Sequence, residues 1–240
     1  MKTLIGIPTL NNSNRLHHCL SSIQQHTVLD DSENPVVVLV SDDFSREEVT
    51  AENARVCEHF GVSMLKAPQR YGIATQWNRL TRHVPDADVV VLVNDDIQVA
   101  PSWLDVLRYS VSKNDHAGMV SLTSIQLEGG VVYDGWNQLQ SVDYEEATLL
   151  HGNKSLVSSI GACFAFRREL FEEVEGFDER FLCYYEEIDF GVRLALRGYF
   201  HFIASWPVLA HEVGVTITAN YDAALLLSES LQKFTDKWIN

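Results

Sequence analysis

Asp88-Val89-Val90-Val91-Leu92-Val93-Asn94-Asp95-Asp96 contains the most hydrophobic strand-like run of the 240-residue chain, and it ends in two adjacent carboxylates. Five consecutive apolar residues, four of them valine, are too few for a helix and have no polar face. This predicts a strand buried on both sides in a parallel sheet. Such a sheet requires helices on its faces, and the sequence on either side supplies them.

Upstream, Thr3 to Ile7, Val36 to Val40 and Val62 to Leu65 read as strands, the second of them buried on both faces. Leu16, Cys19, Leu20 and Ile23 recur at helical spacing and predict a helix from Arg15 to Gln25. Ser45-Arg46-Glu47-Glu48 has the spacing of a capping box opening a helix that Gly61 ends, and Ile73 to Leu80 is another helix.

Downstream, Ser102 and Asp105 open a helix containing Trp103, Leu104 and Leu107, followed by a strand from Gly118 to Leu122. Strands from Ala162 to Arg167 and Tyr199 to Ala204 enclose helices over 169–174 and 187–197. Leu227, Leu231, Phe234 and Trp238 mark one face of a last helix. Between Ser124 and Ser159 periodicity fades, which predicts a long loop with one hairpin. The expected architecture is α/β, a Rossmann-like, mostly parallel central sheet flanked by helices, with one domain over 1–216 and a helical extension of it over 217–240.

The formal charge of -15, from 18 basic and 33 acidic residues, disfavours nucleic acid and anionic lipid as partners. No apolar run approaches the roughly 20 residues of a membrane span. The opening Met1-Lys2-Thr3-Leu4-Ile5 is too short for a secretory leader, so a cytoplasmic setting is expected. Cys19, Cys57, Cys163 and Cys183 lack the close pairs of a zinc site and read as free thiols.

Strand ends at the carboxyl edge of an open parallel sheet are where ligands bind, and Asp95 and Asp96 fall there. A turn accounts for Asn-Asp-Asp equally well. The functional reading is that the carboxylates share a hard divalent cation, Mg2+ or Mn2+, with the phosphates of a nucleotide. The chain has neither a Walker loop nor Gly-x-Gly-x-x-Gly to hold phosphate in another way.

A second acidic group, Glu186-Glu187-Ile188-Asp189, falls in the first turn of a helix, where the helix dipole alone favours carboxylates. A carboxylate held there and kept ionised at neutral pH also suits a general base, and Glu187 is the candidate. Asp189 is expected to cap backbone donors or position an acceptor, and His211 follows a short apolar segment.

In order and spacing these segments resemble the glycosyltransferases of family 2, which have the GT-A fold. Ile7-Pro8-Thr9-Leu10-Asn11 resembles the family's Pro-Thr-Tyr-Asn strand end, and Val40-Ser41-Asp42-Asp43-Phe44-Ser45 its Val-Asp-Asp-Gly-Ser. Arg70-Tyr71-Gly72-Ile73-Ala74 with the later Asn78 resembles its Asn-x-Gly-x-Ala segment. Gly161 through Phe171, Gly176-Phe177-Asp178-Glu179-Arg180-Phe181 and Glu186 through Phe190 are close to the rhamnosyltransferase-like branch.

The resemblance implies a nucleotide-binding set of Pro8, Thr9, Asn11, Asp43, Gly72, Asn78 and Asp95, with Asp43 facing the base and Asp95 the ribose. It implies Asp96 and His211 as metal ligands and Glu187 as the base of an inverting reaction. Glu186, Asp189 and Trp136 are candidates for holding the acceptor or supporting the site. One departure is that the family has Glu-Asp where this chain has Glu186-Glu187, a change that moves the carboxylate by roughly an ångström.

The expected function is therefore metal-dependent transfer of a sugar from a nucleotide diphosphate donor to an acceptor hydroxyl, on a glycan or another polysaccharide precursor. The alternatives are a nucleotide-sugar-binding module impaired in catalysis and a glycoside hydrolase, which also uses paired carboxylates.

Overall fold

The all-apolar run Val89–Val93 is β4, and each of its five residues is at most 1% exposed. Burying side chains of this class stabilises a fold by about 1.5–3 kcal/mol each, which explains why the run occupies the interior of the sheet. The computed structural model describes residues 1–126, 161–212 and 214–239. Around β4 lie β1 (Thr3–Thr9), β2 (Val36–Asp42) and β3 (Ser63–Lys66) on one side. On the other lie β5 (Ile97–Gln98), β6 (Ala117–Gln126), β7 (Cys163–Arg167) and β8 (Phe200–His211).

The sheet order is β3-β2-β1-β4-β7-β6-β8-β5. The β1–β2, β1–β4, β2–β3 and β6–β8 pairs are parallel, whereas β4–β7, β6–β7 and β5–β8 are antiparallel. This is the expected mostly parallel sheet, with its sense reversed at β7.

Helices α1 (Ser13–His26), α2 (Glu47–His59) and α4 (Trp103–Lys113) cover one face, and α3 (Ile73–His83), α5 (Arg168–Glu173) and α6 (Glu186–Ala195) cover the other. Strand alternation feeds both cores: Val89, Val91 and Val93 join Leu16, Cys19 and Trp103, while Val90 and Leu92 join Trp77, Leu80, Phe164 and Phe190. The chain ends its described course in α7 (Val215–Asn220) and α8 (Ala223–Trp238).

Three local expectations are corrected. Val36, Val37 and Val38 are only half-buried, because β2 lies one strand from the sheet edge and its buried half is the carboxyl end. The capping box before α2 does not form: Ser45 Oγ accepts from Asn11 N at 2.8 Å, and exposed Glu48 stands 3.7 Å from Arg46 Nε. In α8 the inward face runs through Leu226 and Ser230, 8% and 1% exposed, while Leu227 and Leu231 are 44% and 46% exposed. Polar anchors, described below, set that rotation. The long loop read between Ser124 and Ser159 falls largely outside the described residues, although β6 extends as far as Gln126.

Candidate active site

The carboxyl ends of β1, β2 and β4 open onto a cavity of about 310 Å³. Pro8, Thr9, Asp43, Gly72, Asp95, Asp96, Glu186, Glu187 and His211 all line it, so most of the site residues named from sequence meet in one place. Among the described residues no lysine or arginine lines this cavity, although five carboxyl groups do. An anionic ligand entering it therefore needs a counter-charge from elsewhere.

At one end Asp43 is held by its own chain. Its Oδ1 accepts from Tyr71 N at 2.8 Å and Gln76 Nε2 at 2.6 Å, and its Oδ2 accepts from Gly72 N at 2.9 Å. Burial raises the Asp43 carboxyl above its usual range, and these three donors act against that rise. Gly72 has φ +88°, and a Cβ there would stand 2.6 Å from the Leu182 carbonyl oxygen. Only glycine permits both that backbone and that approach.

Two residues expected in the nucleotide-binding set do not line the cavity. Asn78, fully buried, donates from Nδ2 to Phe177 O at 2.9 Å and accepts from Phe177 N at 2.8 Å, so it ties α3 to the turn at 177. Asn11, with φ 53°, donates to Asn220 Oδ1 at 2.7 Å and accepts from Arg46 N at 2.8 Å. Their amides are occupied in joining segments behind the cavity wall.

Beyond β4 the two aspartates differ. Asp95 accepts from Thr9 Oγ1 at 2.6 Å and Asn12 Nδ2 at 3.0 Å. Burial, together with the neighbouring Asp96 charge, nevertheless raises its carboxyl to about 7. Asp96 Oδ1 is buried and has no aligned donor among the described residues, with His211 Nε2 3.2 Å away. The β5–β8 pairing, Ile97 opposite His211, brings that imidazole beside the end of β4. Arg15 Nε, 2.7 Å from Glu212 Oε2, and Asn12 Nδ2, 3.1 Å from Thr216 Oγ1, fasten the segment after His211 to the start of α1.

Opposite these, α6 begins with Glu186 and Glu187, whose Oε2 atoms are both buried without a partner among the described residues. Leaving such an acceptor unsatisfied costs about 1–3 kcal/mol, which a fold retains where an outside group is to be met. Burial raises Glu187 to about 7 against two backbone donors, and burial with the Glu187 charge raises Glu186 well above its usual value. The expectation that the helix start keeps Glu187 ionised at neutral pH is thus corrected: desolvation outweighs the helix dipole, and the group is poised near neutrality. Gly161 makes room for it, since a Cβ there would stand 3.1 Å from Glu187 Oε1.

Asp189 does not face the cavity. Fully buried, it accepts from Arg193 Nε at 2.8 Å and Trp238 Nε1 at 2.9 Å, with Lys237 Nζ 2.6 Å away. Neither backbone capping nor acceptor contact describes it; it joins α6 to α8. Trp136 lies outside the described residues.

Sequence reasoning missed Gln76, Leu182, Tyr184 and the wall formed by Gly214, Thr216, Ile217 and Tyr221. Gln76 carried a weak signal, being one of three polar residues, with Asn78 and Thr81, among the buried residues of α3. Tyr221, with the Arg70 guanidinium 5.3 Å from its ring centroid, carried none.

Residues 4–175 match the description of Glycosyl transferase family 2. The chain is 28% identical to N-acetylglucosaminyl-diphospho-decaprenol L-rhamnosyltransferase of Mycobacterium tuberculosis, over 77% of this chain and 69% of that protein. Two solved structures share the fold at low identity. One is the mannosyltransferase PcManGT from Pyrobaculum calidifontis, in complex with GDP-Man and Mn2+ (TM-score 0.67, 18% identical, 89% of this chain and 57% of that one). The other is S. aureus TarS 1-349, in complex with UDP-GlcNAc (TM-score 0.70, 16% identical, 100% and 67%). With a family match across more than half of its residues and a GT-A sheet beneath its cavity, the chain belongs to glycosyl transferase family 2, a family of glycosyltransferase enzymes.

Proposed function

We propose that the cavity binds a nucleoside diphosphate sugar and transfers its glycosyl group to an acceptor hydroxyl in a single displacement that inverts the anomeric carbon. The observation that carries this reading is the meeting of two acidic pairs in a cavity that no lysine or arginine lines among the described residues. One pair is suited to sharing a cation with a diphosphate, the other to accepting a proton.

The residues present fit a hard divalent ion. Asp96 Oδ1 is a buried carboxylate oxygen without an aligned donor, beside an imidazole nitrogen that can also ligate. No group of three or more His, Cys, Asp or Glu converges among the described residues, so Asp96 and His211 would hold Mg2+ or Mn2+ as a two-residue site. Such ions commonly take their remaining positions from phosphate oxygens and water. When bound, the ion offsets the negative charge that develops on the departing diphosphate.

The chain's own groups do the rest. Asp95, fixed by Thr9 and Asn12, positions the nucleotide beside β4. Glu187 Oε2 takes the acceptor hydroxyl proton as that oxygen bonds to the anomeric carbon and the bond to diphosphate oxygen breaks. A base near 7 suits proton transfer at neutral pH, and burial beside it raises Glu186 well above the usual carboxylate range.

The named sugars and ion of the relatives support this class of donor: L-rhamnosyl transfer in one, GDP-Man with Mn2+ in another, UDP-GlcNAc in a third. The acceptor is a carbohydrate or other hydroxyl compound, on a glycan or polysaccharide precursor. A cytoplasmic setting belongs to the same proposal; among the described residues no helix is long and apolar enough to cross a membrane. We also treat 217–240 as an extension of the domain over 1–216.

Titration calorimetry with UDP, GDP and dTDP, with Mn2+ or with chelator, tests the binding half, and turnover of the matching nucleotide sugars tests the chemistry. Binding of at least one diphosphate that requires the ion, with turnover abolished by chelator, is expected. Equal binding or full activity in chelator excludes the ion; no turnover of any donor removes the transfer.

A further inference from the structure

The segment leading into α6 carries Tyr184 at φ 67° and Tyr185 at φ 69°, two consecutive aromatic residues in the left-handed region. A bulky L-residue is disfavoured there, because its Cβ crowds the backbone, and a pair of them persists only when the surroundings impose it. The next two residues are Glu186 and Glu187. Whatever holds this turn also sets where those carboxyl groups stand.

Helix α8 holds it through its second half, from Ser230 to Trp238. Ser230 Oγ, buried, donates to Cys183 O at 2.6 Å, and Lys233 Nζ donates to Arg180 O at 3.1 Å. The Phe234 ring packs on Tyr185 with centroids 5.1 Å apart. Lys237 Nζ stands 2.7 Å from Asp178 Oδ2 and 2.6 Å from Asp189 Oδ1, and Trp238 Nε1 donates to Asp189 Oδ1 at 2.9 Å. These contacts bracket the strained turn on both sides, before it at 178–183 and after it at 189. The family match ends at residue 175, ahead of both the turn and its brace.

We propose that α8 is a clamp that places the Glu187 carboxyl group, with Ser230, Lys237 and Trp238 as positioning residues for the transfer reaction. The inference rests on the reading of Glu187 as the base. None of the three residues lines the cavity, so their effect reaches the chemistry through the turn at 184–185 and through Asp189 on α6. Displacement of a base by about an ångström can lower a rate about 100-fold without altering how a ligand binds elsewhere in the site.

The test uses the full chain carrying Ser230→Ala, Trp238→Phe, or both, with kcat measured on the nucleotide sugar that the wild type turns over and Kd measured for its nucleoside diphosphate with Mn2+. The double variant should lose about 10- to 100-fold in kcat while that Kd stays within about twofold. Adding Tyr185→Gly, which adopts positive φ freely, should restore part of the lost kcat. Unchanged kcat in the double variant overturns the clamp, as does a parallel loss of kcat and nucleotide affinity, or no recovery with Tyr185→Gly. Should the double variant not fold, Ser230→Ala alone decides on the same criteria. A wild type without turnover or metal-dependent nucleotide binding would instead sink the transferase reading, so the two failures are separable.

Discussion

The two acidic pairs that share the cavity are built differently. Asp95 follows a strand and has both oxygens engaged by Thr9 and Asn12, while Asp96 keeps a buried Oδ1 without an aligned donor beside His211. Glu186 and Glu187 open a helix, and each leaves one buried oxygen without a partner among the described residues. Adjacent carboxyl groups do not therefore imply one kind of chemistry. In the proposed reaction the strand-end pair would hold the nucleotide and its ion, and Glu187 of the helix pair would take the proton.

Three measurements bear on that contrast. The largest effect is expected from Glu187→Gln, which keeps the shape and removes the proton acceptor: kcat should fall about 10²- to 10⁴-fold with nucleotide affinity unchanged. Loss of nucleoside diphosphate binding in this variant would erase the distinction between the pairs. Asp96→Asn should do the reverse and weaken Mn2+-dependent binding of the nucleoside diphosphate by about 100-fold, about 2.7 kcal/mol. Unaltered binding there would remove Asp96 from the metal site.

The smallest effect concerns stability. Because burial raises Glu187 in the folded state to about 7, the folded protein binds its proton more tightly than the unfolded chain, and stability falls as pH rises from about 4.5 to about 7. Glu187→Gln lacks that penalty. Its melting temperature should match the wild type near pH 4.5 and exceed it at pH 8, by about 2–4 °C for each kcal/mol recovered. A lower melting temperature at pH 8 would mean that the ionised carboxylate is better solvated than its burial indicates.

The sheet was legible from local pattern because a buried strand must be apolar along its length, as Val89–Val93 is, and because Leu16, Cys19, Leu20 and Ile23 leave one stripe on α1. Where a polar contact competes with an apolar pattern, the pattern misleads. The rotation of α8 follows Asp189 and the Cys183 carbonyl rather than Leu227 and Leu231, and Ser45 is taken up by the Asn11 backbone instead of a cap. All three partners lie far away in sequence, so no local window contains them.

The same limit divides the site. Asp95 and Asp96 were legible from their place after a buried strand, but His211 reaches them through an antiparallel pairing with Ile97 that spacing does not encode, and it was named only by family resemblance. Resemblance in turn carried Asn11 and Asn78 too far, since it matches positions and not the direction in which an amide points. Tyr221 was missed because one aromatic residue in a polar stretch has no periodic context.

One wall of the cavity has a consequence for how the protein is made. Gly214, Thr216, Ile217 and Tyr221 emerge from the ribosome after every other described residue that lines the site. That wall can therefore close over the two acidic pairs only after every strand of the described sheet has been made.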